Sequence, residues 1–156
     1  MAGWYRRPQA CRDTRHLRTE PAMGSRTALR LYDLVNAGHV EQIGELVTAD
    51  YIEHDPVPGQ GTGREGAIDR FSIIVGALAP HFTVEDAIAA GDRVVVRWTN
   101  AGTHVGEFAG IPATGRPFTI SGIDIYRVDD NLLAEHWHVV DQLSMLTQLG
   151  LLPQPA

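Results

Sequence analysis

The chain has 156 residues, 44% of them hydrophobic, which suits one globular domain with a core of its own. Seven of the thirteen arginines lie in the first thirty positions, so the remainder of the chain is acidic and unsuited to binding nucleic acid. The single cysteine, Cys11, excludes an intrachain disulfide and a thiol-based metal site.

Residues 1–22 are basic and lack a repeating apolar pattern. We therefore predict a disordered tail there, followed by one α+β domain over residues 23–156. No segment has the roughly eighteen consecutive apolar residues of a membrane helix, and the N-terminus lacks the apolar stretch of a signal peptide. The expected location is the cytoplasm, without membrane attachment.

Helical periodicity marks three segments before Pro80. The first helix is predicted to begin at Ser25, as its N-cap, and to end at Gly38. A second, short helix is predicted over 40–47, and a third over 64–78. A brief strand at 51–54 and a loop rich in Pro and Gly separate the second helix from the third.

Beyond Pro80 the apolar period changes to two, which indicates strands. Strands are predicted around Phe82 and over 94–98, with Gly91-Asp92 as the turn between them. A hairpin follows, made of strands 118–128 and 132–140, and a short helix then ends at Gly150. Helices followed by an antiparallel sheet indicate an α+β domain in which the helices cover one side of the sheet.

The hairpin carries the candidate chemistry. A three-residue turn with Asn131 in the left-handed conformation would place Asp124 opposite His136, with His138 as the diagonal neighbour. All three share one face, because side chains alternate along a strand. The same face carries Phe118 and Tyr126, and such apolar surroundings shift pKa values. The alternative interpretation is that these are structural histidines and a buried structural carboxylate.

Other motifs argue against metal and nucleotide chemistry. The histidines of the HWH sequence, residues 136–138, lack the spacing of the helical zinc motifs, so no metal site is predicted. No nucleophile elbow or Walker loop is present, and the glycines of GQGTGREG, residues 59–66, follow a loop that contains two prolines.

Four segments together make the chain resemble the SnoaL-like polyketide cyclase (ester cyclase) branch of the nuclear transport factor 2-like superfamily. The resemblance spans about residues 29–150. Its motifs are YDLVNAGHVEQIGELVTADYIEHDP from Tyr32, GTHVGEFAGIPATGRPF from Gly102, GIDIYRVDDNLLAEHW from Gly122, and QLG ending at Gly150.

The resemblance implies a cone in which three N-terminal helices pack on a curved antiparallel sheet that encloses an apolar pocket, with a short C-terminal helix. It also implies a homodimer and a secondary-metabolic enzyme of antibiotic biosynthesis that needs no cofactor or metal. The implied reaction is closure of a ring on a polyketide ester by intramolecular aldol addition.

Aldol cyclases of this family use an Asp on the last strand as general acid and base, beside a His on the preceding strand. By motif, that Asp position falls on His138 and the His position falls on Asp124, so the pair is kept with its members exchanged. We predict that His138 is the proton-abstracting base, that Asp124 orients it, and that His136 assists.

Further residues are candidates for contact with the substrate. His104 is predicted at the pocket mouth and His54 beside a substrate carbonyl. The aromatic candidates are Tyr32, Trp98, Tyr126 and Phe118, for which core packing is the alternative. Two other functions stay open on the same fold: opening of an epoxide by a cyclase or hydrolase, or another tailoring step such as hydroxylation, and a non-catalytic ligand-binding or association module.

Overall fold

The computed structural model describes residues 23–152, so the predicted basic tail lies outside the described residues. Three α-helices, one 3-10 helix and five strands follow one another along this part of the chain. Their bounds are α1 Met23–Asn36, the 3-10 helix Val40–Glu45, β1 Val47–Glu53, α2 Gly63–Leu78, β2 His81–Ala90, β3 Arg93–Thr103, β4 Pro117–Asp129, β5 Leu132–Val140 and α3 Gln142–Gln148.

The five strands form one sheet in the order β1-β5-β4-β3-β2. The last four strands in the chain pair antiparallel, as predicted, and β1 adds a parallel edge beside β5. Inward side chains alternate cleanly along β4, where Phe118, Ile120, Asp124 and Tyr126 are buried. Antiparallel sheets commonly bury one face and expose the other, so this alternation sets which side chains reach the space under the helices.

The helices cover the inner face of the sheet, and the α+β architecture expected from the resemblance is confirmed. Helix α1 places Leu31, Tyr32 and Val35 in the core, and α2 contributes Phe71 and Ile74. None of the described helices combines the length and the hydropathy needed to cross a membrane.

Two predicted element ends are wrong. Ser25 is not an N-cap, because it lies inside α1 and is buried. The second helix is a 3-10 helix that stops at Glu45, and Val47, predicted to be helical, begins β1. Val47 pairs with Leu133 of β5, and both are fully buried. A β-branched side chain fits such a strand position well, and this long-range pairing overrides the local helical pattern.

The predicted turn of the β4–β5 hairpin is also wrong in length. The turn has two residues, Asp130 and Asn131, both with positive φ (46° and 68°), which is the geometry of a type I′ turn. Asp129 therefore pairs directly with Leu132.

A β-bulge then shifts the register of this hairpin. Val128 pairs with Leu133 but Arg127 pairs with Glu135, so Ala134 is an extra residue in β5. Beyond the bulge Asp124 lies opposite His138 and Tyr126 lies opposite His136, which corrects the predicted pairing of Asp124 with His136. Asp124, His136 and His138 still share one face of the sheet, as predicted. The observed register differs from the predicted one by two residues, and a shift of two residues leaves each side chain on the same face.

Candidate active site

An apolar cavity lies between the inner face of the sheet and the helices. Its walls include the side chains of Phe71, Ile74, Leu78, Phe82, Ile120 and Met145. A neighbouring cavity, which shares Phe108, His138 and Met145 with it, lies between loop 55–58, loop 108–111 and the start of α3. Among the described residues that line the apolar cavity, Asp124 is the only one with a carboxylate.

The Asp124 carboxylate is 6% exposed and is held by three side chains. Tyr32 donates a short hydrogen bond to Oδ2, and the Tyr126 hydroxyl lies 3.3 Å from the same oxygen. Nε2 of His136 lies 3.3 Å from Oδ1. Burial alone would raise the pKa of Asp124, but the charge and hydrogen bond of His136 and the Tyr32 bond lower it below the ordinary value. Asp124 is therefore a carboxylate at neutral pH.

His136 lies between two buried carboxylates. Its Nε2 faces Asp124, and its Nδ1 is 2.7 Å from Oε2 of Glu53. The ring is fully buried and stacks on Tyr126 at 4.7 Å. Although burial lowers the pKa of the imidazole, the two carboxylates outweigh it and raise that pKa above the ordinary value. The two carboxylates therefore favour the imidazolium form of His136, in which Nδ1–H donates to Glu53 and the charge faces Asp124.

Glu53 and Arg70 extend this chain of charges. Glu53 is the last residue of β1, and Oε2 of its carboxylate lies 3.6 Å from Nε of Arg70, on α2. Burial would raise the pKa of Glu53, but the neighbouring His136 and His138 and the charge of Arg70 hold that pKa far below the ordinary value. Arg70, Glu53, His136 and Asp124 thus form an alternating row of four charges whose sum is zero. Such balance lets charges stay ionised away from water.

His138 is separate from Asp124 in its side-chain contacts. Its Nδ1 lies 3.3 Å from Nη2 of Arg70 and 3.8 Å from Oε1 of Glu53. A guanidinium can only donate, so Nδ1 of His138 accepts, and the ring proton is on Nε2. Arg70 also donates to the backbone oxygen of Asp55 at 3.2 Å, which fixes the guanidinium in place. The Nε2–H group of His138 is therefore left to donate at the cavity that this residue lines.

The structure brings five of the nine predicted site residues to the cavity wall. They are Tyr32, Trp98, Asp124, His136 and His138. Tyr126 and Phe118 are fully buried and lie outside this wall, Tyr126 against Asp124 and Phe118 against Gly102. They shape the site through the residues that they contact.

The other two predicted residues lie away from the cavity. His54 follows the last residue of β1 and points outward, where it stacks on Trp137 at 4.3 Å and pairs with Glu135 at 3.0 Å. His104, predicted at the pocket mouth, is 1% exposed and does not line the cavity. Its Nδ1 lies 3.2 Å from Oγ1 of Thr114, so it holds together the loop that carries Phe108 to the cavity.

Sequence reasoning missed Glu53 and Arg70, although a local signal marks each. Tyr51 is a core residue of β1, so the period of two puts Glu53 inward and His54 outward. Along α2, Arg70 falls on the buried stripe formed by Ala67, Phe71 and Ile74. A charged residue on an apolar helical stripe indicates either a buried ion pair or a functional site.

Glu53, His136 and His138 also form a possible metal-ligand set, with three ligand atoms within 4.8 Å of one another. The donor types suit zinc or iron. Arg70, however, already donates to Nδ1 of His138 and lies beside Glu53, so a cation there would meet a fixed positive charge. These residues therefore fit a metal poorly.

Comparison with known proteins gives a consistent result. The profile of the SnoaL-like polyketide cyclase family matches residues 25–149. Aklanonic acid methyl ester cyclase DnrD of Streptomyces peucetius is 27% identical over 128 residues, which cover 78% of this chain and 86% of that protein. Nogalonic acid methyl ester cyclase of Streptomyces nogalater is 28% identical over 123 residues, covering 74% and 88%.

A solved structure agrees with these relatives. IdmH of Streptomyces antibioticus is 35% identical to this chain and superposes with a TM-score of 0.70. The match covers 83% of this chain and 99% of IdmH.

Proposed function

The chain belongs to the SnoaL-like polyketide cyclase family, and from that premise we propose that it closes a ring on a polyketide methyl ester by intramolecular aldol addition, without metal or cofactor. Its relatives are cyclases of aklanonic and nogalonic acid methyl esters, so esters of this kind are the proposed substrates. The observation that carries the chemistry is Asp124, a buried residue that supplies the only carboxylate on the wall of the apolar cavity among the described residues.

Asp124 is the proposed base. It removes a proton from the substrate carbon that lies between two carbonyl groups, and the electron pair of that C–H bond becomes an enolate. His136 and Arg70, which stabilise the Asp124 charge, face the negative charge after it moves to the substrate. Because these groups are fixed before reaction, the enolate needs no rearrangement of the site.

His138 is the proposed hydrogen-bond donor. The enolate carbon attacks a carbonyl carbon of the same molecule, a C–C bond forms, and the π pair of that carbonyl becomes an alkoxide. The Nε2–H group of His138 stabilises the alkoxide, and the proton held by Asp124 returns to it. This exchanges the roles predicted from the sequence, because Arg70 already donates to the nitrogen through which His138 would act as a base.

The cavity walls supply the remaining catalysis. Holding the two reacting carbons together replaces an encounter in solution, an effect that reaches about 7–11 kcal/mol in well-oriented systems. Apolar side chains such as Phe71 and Ile120 also exclude water, which would otherwise protonate the enolate.

The direct test is incubation of the purified protein with aklanonic acid methyl ester, followed by mass spectrometry and NMR of the product. Aldol closure gives a cyclic isomer with the mass of the substrate. A product that is one water heavier would indicate hydrolytic epoxide or ester chemistry, and recovery of unchanged ester would favour a binding module. Activity should persist after extensive treatment with EDTA, since no step uses a metal.

The outer face of the sheet supports the proposal of a homodimer. Ile123 and Val139 are cross-strand partners there, 43% and 74% exposed, and Ile125 lies beside them. Ile123→Glu should shift the sedimentation coefficient from dimer to monomer. Ile88→Glu, on a different strand and also exposed, is the matched control that should leave the dimer intact.

A further inference from the structure

Asn100, on β3, lies on the cavity wall and is only 3% exposed. Its side-chain oxygen accepts a hydrogen bond from the backbone N–H of His81 at 3.2 Å. Because a backbone N–H can only donate, this bond decides which end of the amide faces β2. The Asn100 oxygen is therefore occupied and the NH₂ group is left on the other side.

The NH₂ group of Asn100 has no acceptor among residues 23–152. Asn36 provides the contrast, because its amide both donates to and accepts from the backbone of Phe82, each bond 2.8 Å long. Buried polar groups in proteins are nearly always paired, and one left unpaired costs about 1–3 kcal/mol. The NH₂ group of Asn100 is thus a donor on the cavity wall that lacks a partner among the described residues.

Asn100 lies at a defined distance from the reacting carboxylate. Across the β3–β4 ladder Asn100 pairs with Ile120 and Val96 pairs with Asp124. Four residues of strand separate the two pairs, or about 13 Å at the usual rise per residue. The wall between them is formed by Trp98, whose ring lies against Gly122, where no side chain intervenes.

We propose that Asn100 is a substrate-binding residue that donates a hydrogen bond to an oxygen of the polyketide, a carbonyl or phenol group remote from the ring being closed. A ligand that reaches both Asp124 and Asn100 must be long and oxygenated at both ends. Fused polyketide rings have this form. The identity of the ligand rests on the proposed function, whereas the donor and its position rest on the geometry.

This contact distinguishes substrates. An analogue that lacks the remote oxygen leaves the Asn100 NH₂ group buried and unpaired, and it should bind about 5- to 100-fold more weakly, which corresponds to the cost of one such donor. Removal of the donor from the protein should abolish this discrimination, because nothing is then left unpaired.

The test is a double-mutant-type cycle in which one change is made in the protein and the other in the ligand, and the equilibrium dissociation constant of every pair is measured. The ligands are the cyclised product of the methyl ester assay and a set of analogues, each with one ring oxygen replaced by hydrogen. If the parent does not cyclise the ester, the ester itself and its deoxygenated analogues take their place. The proteins are the parent, Asn100→Ala and Asn100→Asp, of which the last keeps the bond to His81 and lacks the donor.

One deoxygenated analogue should bind the parent protein about 5- to 100-fold more weakly than the complete ligand does. For each of the two variants, the affinities for that analogue and for the complete ligand should differ by less than about threefold. A purely structural role for Asn100 would lower the affinity for every ligand equally, and equal losses would overturn the proposal. Binding is read without turnover, so failure of the aldol assay and failure of the Asn100 contact are separate results.

A second measurement holds even if the variants do not fold. In ¹H–¹⁵N spectra of the parent, the side-chain amide signals of Asn100 should shift when ligand is added, and those of Asn36 should stay in place. Unmoved Asn100 signals at saturation would also contradict the proposal.

Discussion

Nε2 of His136 lies 3.3 Å from Oδ1 of Asp124, although the two residues are not direct partners across the β4–β5 hairpin. The direct partner of Asp124 is His138, whose side chain turns to Arg70 and Glu53. The two histidines therefore have different electrostatic surroundings. His136 is buried between carboxylates that favour its charged form, and His138 offers its Nε2–H group at the cavity wall.

Asp124→Asn should reduce the rate of cyclisation by about 10²- to 10⁴-fold, which is the usual contribution of a positioned general base to the rate. The amide has nearly the shape of the carboxylate and cannot take up the proton. Single-turnover kinetics with the methyl ester measure the loss. Asp129→Asn, at the exposed end of the same strand, is the control and should retain full activity. A fully active Asp124→Asn protein would remove Asp124 from the role of base.

Arg70→Lys should disturb the tautomer of His138. A lysine ammonium cannot bridge His138, Glu53 and the Asp55 carbonyl as the planar guanidinium does. Long-range ¹H–¹⁵N spectra of the imidazole should show an Nε2–H tautomer in the parent and a mixture in the variant. The catalytic rate constant should fall about 10- to 100-fold through misplacement of the donor.

The control for Arg70→Lys is Arg64→Lys on the first turn of the same helix, which should change neither the tautomer nor the rate. A parent spectrum with His138 protonated on Nδ1 would contradict the assignment.

The charged row should give the folded protein a stability maximum between about pH 4.5 and 6.5. The pKa values of Glu53 and Asp124 are lowered from 4.5 and 3.8 in the folded protein. Their contribution to the free energy of unfolding is therefore complete above 4.5 and 3.8, and it is lost as the pH falls through the folded-state pKa values. The pKa of His136 is raised from 6.5, so its contribution to the free energy of unfolding is complete below pH 6.5 and is lost as the pH rises through the raised pKa. Urea unfolding at a series of pH values measures both limbs.

Glu53→Gln should flatten the acid limb of this profile and lower the free energy of unfolding near pH 6 by about 3–5 kcal/mol, as expected when one partner of a buried ion pair is removed. The loss arises because His136 and Arg70 are left as neighbouring cations without the carboxylate between them. Glu85→Gln, an exposed residue that accepts from Thr99, should change stability by less than about 0.5 kcal/mol. An unchanged acid limb in Glu53→Gln would show that the titration arises elsewhere.

Gly122→Ala should displace Trp98 from the cavity wall. A Cβ at position 122 would lie 2.2 Å from Cζ2 of the indole ring, so the ring must move. We expect a loss of about 1–3 kcal/mol in stability, as for other overpacked cores, together with a raised KM. Calorimetry and steady-state kinetics measure the two effects.

Trp98→Phe in the same chain should restore part of the stability lost in Gly122→Ala, since the smaller ring leaves room for the methyl group. Gly76→Ala is the matched control, because a Cβ there meets nothing within 4 Å and α2 should gain stability. A Gly122→Ala protein as stable as the parent would mean that the close packing against Trp98 does not constrain the wall.

The sequence alone determined most elements and the inward face of β4 and β5. Strand alternation and helical spacing are local properties, so Asp124, His136 and His138 could be assigned to one face without coordinates. The same local rule, applied to Tyr51 and to the stripe of α2, would have found Glu53 and Arg70.

Only the tertiary structure decided which of these groups meet. The bulge at Ala134 sets the partner of each histidine, and the parallel addition of β1 to β5 brings Glu53 beside His136. Both depend on pairing between segments far apart in the chain, where the free energy comes from burial and from mutual neutralisation of charges. No local pattern specifies such pairings, because they are stable only when all the participating segments are in place.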